Sequence, residues 1–347
     1  LLFLIKMRLI LNSLCPRVYI SFLLGLLMLS VHMVFIWNQE RLLQSFSSPY
    51  FRKRELLSRA EQQVNQMHDS MCSPEMGEDW NHLCSFNFVK TAAQLILKGE
   101  HADIVQIGAH TGFEQNDPLA KGVAGLLDAL VNITGIDELR KRVHWTFVEP
   151  SPPNFKRLSE NLANNSDLCE MKGINAAVVS DHVANNETKA DNLIFYTIRD
   201  TIDPETGFDS LSNKTLPTWV TQLSSFSMEP ILFNRRVFTK QKLRVEDYIV
   251  EVKVTARTFS DVMKEAVVTK QKNQQQPPPL LVLIDTEGFD CDIVQGISPS
   301  SPYLPQYLLF EHKQCKKNPA YEHLKSMGYH TRTTSDNAIA SKAISHN

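Results

Sequence analysis

Apolar and polar positions divide the chain into three stretches. Val18 to Trp37 is an uncharged, mostly apolar run of 20 residues, about 30 Å long as a helix and sufficient to cross a bilayer. Asn38 to about Met71 is polar, and its charged helical part, Arg52 to Met67, keeps no apolar heptad, so a coiled coil is excluded there. From about Cys72 strand and helix patterns alternate. Asn87–Leu97 has helical spacing at Phe88, Ala92, Leu95 and Ile96. Strands are predicted at Ile104–Ile107, Trp145–Val148, Ile174–Val179, Leu280–Ile284 and Tyr307–Phe310, with helices at Pro153–Leu162 and Asp290–Gln295. Leu280–Ile284 is a continuous apolar run of the kind buried on both faces of a sheet. This alternation predicts an α/β fold, a mostly parallel sheet with helices on both faces.

An excursion from Ser180 to Pro279 interrupts the alternation. It carries predicted strands at Asn192–Tyr196 and Glu251–Thr255, a helix at Phe259–Val267, and a polar surface loop, Lys270–Gln276, closed by three prolines. An insertion of that length beside a sheet is expected to carry a lid or a substrate-recognising element.

Lys6, Arg8 and Arg17 precede the apolar run, which places the short tail in the cytosol by the positive-inside rule. The expected organisation is a cytosolic tail (1–17), a transmembrane signal anchor (18–37), a stem (38–71) and a lumenal domain (72–347) with an insertion at about 180–279. That makes a single-pass type II membrane protein of the Golgi or endoplasmic reticulum. A cleaved signal peptide is the rival reading, but the run is long for one and no A-x-A site follows. Met7 is a candidate start. Sequons at Asn132, Asn164, Asn186 and Asn213 agree with a lumenal domain. Of six cysteines, Cys15 precedes the anchor, where it is either palmitoylated or idle. The other five, Cys72, Cys84, Cys169, Cys291 and Cys315, leave at least one unpaired in an oxidising compartment. Cys72 and Cys84, flanking a short loop, are the preferred disulfide.

Composition is that of an ordinary globular chain: 347 residues, 43% apolar, 21% charged. A net charge of -2 gives no electrostatic basis for nucleic-acid binding, and the clusters Arg52-Lys53-Arg54 and Arg235-Arg236 read as solvated surface. No cysteine or histidine spacing indicates zinc.

Two segments carry the chemistry. Ile104 to Ile107 stops at a turn, Gly108-Ala109-His110-Thr111-Gly112, and Phe147-Val148 ends on Glu149. In a Rossmann-type sheet the glycines let a ligand approach the backbone, and an acid at the next strand tip accepts hydrogen bonds from ribose hydroxyls. G-x-x-x-G is not the G-x-G-x-x-G that cradles a diphosphate, so S-adenosylmethionine is the expected cofactor rather than a nicotinamide dinucleotide. Gly112 and Glu149 are further apart than usual, which requires an insertion around Pro118–Arg142. Asp285 closes the fourth strand, at the edge where open α/β sheets bind ligands, with Glu287 two residues on. Their structural alternative is helix capping and dipole pairing. Glu311 and His312 end the fifth strand, and a histidine there is a candidate base for an acceptor hydroxyl. Trp219 is either a core tryptophan or a platform for a sugar face.

Taken in order, these segments resemble the FkbM-type S-adenosylmethionine-dependent methyltransferases from about residue 100 to 342. The resemblance rests on Val105–Gly112 with Asn116-Asp117-Pro118, on Phe147–Phe155, on Asn175–Val178, on Leu283–Asp290 with Gly296, and on Phe310-Glu311-His312; Pro217–Phe226 is similar to a family segment on the substrate side. It implies a Rossmann-like class I methyltransferase sheet. It implies S-adenosyl-L-methionine held by Gln106, Gly108, Ala109, His110, Gly112, Glu149, Asn175, Ala176 and Asp285, with Asp285, Glu287 and His312 in catalysis. His110 stands where the family commonly has Asn. The expected activity is O-methylation of a glycan or small hydroxylated substrate. A non-catalytic lumenal binding protein on the same fold and a nicotinamide-dependent oxidoreductase are the alternatives.

Overall fold

The computed structural model describes residues 61–112, 118–165, 169–180, 193–267, 278–313, 315 and 319–342. All but the first two belong to a compact unit, Gln63–Asn347; the other unit is Leu1–Gln62. The apolar run 18–37, the sequon Asn186 and the Lys270–Gln276 tract lie outside the described residues. Among the described residues no helix is long and apolar enough to cross a membrane.

The centre of the unit is a seven-stranded sheet in the order β13-β14-β12-β11-β1-β2-β3. Its members are β1 (Ala102–Ile107), β2 (Val143–Val148), β3 (Glu170–Ile174), β11 (Leu281–Ile284), β12 (Tyr307–Glu311), β13 (Tyr329–Thr333) and β14 (Asn337–Lys342). The first five run parallel; β14 is antiparallel to both β12 and β13. Every residue of β2 and β11 is buried, because alternate side chains feed two separate cores. Ile104, Trp145, Phe147, Leu281, Leu283 and Leu309 face one, with the helices Phe88–Leu97 and Pro118–Thr134. Val105, Ile107, Val148, Val282, Ile284 and Phe310 face the other, with the helices Phe259–Ala266, Asp290–Gln295 and Pro319–Ser326. The fold is therefore mostly parallel α/β and Rossmann-like, with helices on both faces.

The insertion expected around Pro118–Arg142 consists of two helices, Pro118–Thr134 and Ile136–Arg142. A Cβ on Gly122 would stand 2.2 Å from the Trp80 ring, so glycine is what lets the longer helix lie against that side chain. Three details depart from the sequence pattern. The single third strand is two, β3 and β4 (Ala177–Val179), broken at Asn175-Ala176. The insertion ends earlier than Pro279, since β10 (Ala256–Thr258) pairs parallel with β4 and the helix after it packs in the second core. Finally, residues 63–71, read as stem, are helical and place Val64, Met67 and Met71 in the first core.

The insertion builds its own small sheet, β8-β5-β9, from β5 (Leu193–Ile198), β8 (Ser224–Ser225) and β9 (Ile249–Val254), beside the hairpin β6 (Phe208–Asp209) and β7 (Lys214–Thr215). Its core gathers Val220, Ile231, Phe238 and Tyr248. Disulfides join Cys72 to Cys84 and Cys291 to Cys315, and Cys169 is a free, buried thiol. Asn132, Asn164 and Asn213 are exposed.

Candidate functional site

The carboxyl ends of β1, β2 and β11 meet at a cavity of about 560 Å³, within the range of small-ligand sites. β1 and β11 converge so closely that a Cβ on Gly108, at φ 80°, would stand 1.7 Å from the Asp285 carbonyl oxygen. Only glycine allows that approach. The backbone N–H groups of Gly108 and Ala109 donate to the Val148 carbonyl at 2.9 and 3.0 Å, locking the turn to the tip of β2. His110 follows at φ 49°, a left-handed conformation rare outside glycine. Its N–H donates to Glu149 Oε2 at 2.8 Å, and its Nε2 lies 3.2 Å from the Thr221 carbonyl of the insertion.

Glu149 is 3% exposed, and its other carboxylate oxygen accepts the Ser151 N–H at 2.8 Å. Burial pushes its pKa up to about 7; the two N–H donors, the His110 charge and Asn154 oppose the rise without cancelling it. On the far side, Asp285 donates its backbone N–H to the Ile107 carbonyl and presents an exposed residue to the cavity. Glu287 is held at φ 53°, and burial, then the charges of Glu311 and Asp290, push its pKa up to about 7 against the pull of His110. Asp290 braces this loop. It is 1% exposed and accepts from the Thr286 N–H and hydroxyl and from the Gly288 N–H. Burial pushes its pKa up to about 6, against those hydrogen bonds.

The cavity wall includes Gln106, Gly108, Ala109, His110, Gly112, Glu149, Ala176, Asp285 and Glu287 from the sequence reading. Residues 113–117 of the loop lie outside the described residues. Two expected residues are absent from the wall. Asn175 turns away and donates to the backbone carbonyls of Glu149 and Pro150, at 2.8 and 3.2 Å. His312 lies beside the Thr334 carbonyl (Nε2–O 3.2 Å) and packs edge-on against Tyr321. Its backbone N–H is taken by the Asp336 carbonyl in the turn before β14. The antiparallel β13–β14 pair, unread in the sequence, supplies those partners and gives His312 a structural setting.

Sequence reasoning did not reach Asp79, Asn337 and Phe195, which also line the cavity, as do Gln222 and Phe226 of the Pro217–Phe226 segment. Asp79 is held by Asn337 Nδ2 at 2.8 Å and the Thr334 hydroxyl at 3.0 Å. No local pattern signals such a pairing of positions 79 and 337. Trp219, 39% exposed, stands on the wall.

Charge gives the cavity its character. Its wall carries four carboxylates, Asp79, Glu149, Asp285 and Glu287, and His110, with no lysine or arginine among the described lining residues. A diphosphate would meet repulsion here, whereas a ligand bearing positive charge and vicinal hydroxyls finds partners. No group of His, Cys, Asp and Glu able to hold a metal ion occurs among the described residues.

Fold and site together define an α/β domain with a small-ligand cavity at the carboxyl edge of a mostly parallel sheet. No family model and no curated protein matches the chain. Among solved structures, the chain is similar to the precorrin-6y C5,15-methyltransferase of Geobacter metallireducens GS-15. The match covers 72% of this chain and 86% of that one, at 10% identity and a TM-score of 0.27.

Proposed function

We propose that the chain is an S-adenosylmethionine-dependent methyltransferase of the FkbM type, O-methylating a hydroxyl of a glycan or other hydroxylated substrate in the secretory pathway. The observation that carries this reading is the carboxylate-walled cavity free of lysine and arginine among its described residues, with Glu149 at the tip of β2 beside the Gly108–Gly112 turn. The cofactor brings a positive charge at sulfur, an ammonium, one carboxylate and a ribose diol, a net positive charge without phosphate. Glu149 would accept from the ribose hydroxyls, and Asp285 would face the ammonium. Bound there, S-adenosylmethionine would supply an electrophilic methyl carbon for transfer to an acceptor oxygen, with the sulfur as leaving group.

The chain's own residues then have three tasks. The Gly108 turn and the left-handed His110 hold the loop against Glu149. The Asp290-braced loop holds Glu287 at the cavity. Glu287 receives the proton that the acceptor hydroxyl must lose, a task suited to a carboxylate titrating near neutral pH. Most of the remaining task is alignment, to which Trp219 and Gln222 contribute from the insertion.

A type II membrane orientation belongs to the same proposal. The two disulfides and the three exposed sequons support it. A glycosidase-induced mobility shift, with protease protection of the domain in sealed microsomes, is the expected result; an unprotected, unglycosylated domain would rule that orientation out.

Calorimetry with S-adenosylmethionine and with NAD, followed by labelled-methyl transfer to a glycan panel, tests the activity. Saturable binding of the first cofactor alone, lost in Glu149→Ala, is expected. Binding of NAD instead, or no binding of either, overturns the reading.

A further inference from the structure

Beside the carboxylate-walled cavity lies a second one of about 730 Å³, between the end of β4, the start of β5 and the helix Asp290–Gln295. Its character is the opposite. Ile194, Phe289 and Ile293 are among its walls, and Asp292 is its one charged residue among the described positions. Val178 and Phe226 line both cavities. Phe226 stands edge-on to Phe195 of the first cavity (5.2 Å between centroids) and to Phe289 of the second (4.6 Å). A row of three aromatic rings therefore leads from one cavity to the other. Ile194 is 39% exposed on β5, apolar surface that gains by meeting an apolar ligand.

The first cavity suits a polar, cationic occupant and the second an uncharged apolar one, yet they share a wall. We infer that the second cavity seats the apolar portion, an alkyl chain or aryl ring, of the acceptor whose hydroxyl enters the first. The substrate is then an amphiphilic alcohol, such as an alkyl or aryl glycoside, rather than a free sugar. This inference rests on the methyl-transfer reading for the hydroxyl end only; the apolar seat is testable without it.

Two measurements on the full chain in lipid nanodiscs separate the two readings. The first is photolabelling with an aryl-diazirine benzyl alcohol, mapped by mass spectrometry. Cross-links are expected in the peptides around Leu193–Ile198 and Phe289–Gln295, suppressed by excess octyl glycoside and lost in Ile194→Asp, with Ile194→Leu retaining them. The thermal melt of each variant checks its fold. Absence of label from these peptides, or label indifferent to Ile194→Asp in a folded variant, overturns the inference. The second is labelled-methyl transfer to matched methyl and octyl glycosides. A KM at least about tenfold lower for the octyl compound, erased by Ile194→Asp, is expected from burial of the chain. Equal KM values with active enzyme overturn the inference. Site-mapped, competable labelling with no methyl transfer to any acceptor would retain the apolar seat and overturn the methyltransferase reading instead.

Discussion

At the scale of single residues, two glutamates hold protons that a solvated glutamate would have lost. Glu149 and Glu287 both titrate near 7 because burial opposes their ionised forms. Ligand-free, each contributes stability that is fully present below the unfolded value of about 4.5 and lost as pH rises through about 7. Each contribution is up to about 3 kcal/mol at about 1.4 kcal/mol per pKa unit. The melting temperature of the free protein is therefore expected to fall between pH 5 and pH 8, and Glu287→Gln to flatten that fall; a profile indifferent to the substitution would refute the assignment. A cationic ligand reverses the preference. Affinity for S-adenosylmethionine should rise from pH 6 to pH 8 with release of protons, measurable by calorimetry in buffers of different ionisation enthalpy. Gly108 gives the sharpest steric case. Gly108→Ala puts a methyl 1.7 Å from a backbone oxygen at positive φ, at a cost of about 3 kcal/mol or more, readable in chemical denaturation.

At the scale of elements, the helix Pro118–Thr134 depends on a residue with no side chain. Gly122→Ala drives a Cβ into the Trp80 ring, which is 1% exposed and donates its Nε1–H to the Met71 carbonyl. Displacement of the helix should cost about 1–3 kcal/mol, and Gly125→Ala on the same helix, whose Cβ meets only the end of Met71 at 3.7 Å, should cost little. Equal effects from the two would show that the ring contact is not what matters. The helix Asp290–Gln295 is tied by Cys291–Cys315 to the segment after β12. Closure of a loop of that order is worth about 3 kcal/mol, so a Cys291→Ser, Cys315→Ser double variant should melt lower than wild type under non-reducing conditions.

The elements also show how much was legible. β1, β2, β11 and β12 stand out in the chain because strands buried on both faces are rich in apolar residues, continuously so in Leu281–Ile284 and interrupted by Asp103, Gln106, His144 and Thr146 in the first two. The antiparallel β13–β14 pair stayed hidden because β13 is exposed beyond Tyr329 and the apolar run of β14, Ala338-Ile339-Ala340, is only three small or medium residues long. Between Gly112 and Glu149 the place of the insertion, Pro118–Arg142, was legible in the sequence, and the structure supplies its form as two helices, the longer packed with Gly122 against Trp80.

At the scale of the whole molecule, the insertion closes one side of the cavity with Phe195, Trp219, Gln222 and Phe226, and touches the Gly108–Gly112 turn where His110 meets the Thr221 carbonyl. Trp219→Ala should raise the acceptor KM about tenfold while leaving cofactor affinity within about twofold; a parallel loss of cofactor affinity would place the tryptophan on the cofactor side instead. The sequence by itself determined the alternating order of elements, the glycine turn after the first strand and the acid at the tip of the second. These are local consequences of burial, backbone freedom and charge, readable within a few residues. Only the tertiary structure decided which distant groups meet: that Asp79 is held by Asn337, that His110 reaches Thr221, that Asn175 ties a turn, and that His312 is taken up by the β13–β14 turn. Those pairings arise from crossovers and from one antiparallel return at the sheet edge. The chain's local pattern sets which faces must be buried and leaves the choice of partner to the packing of the whole.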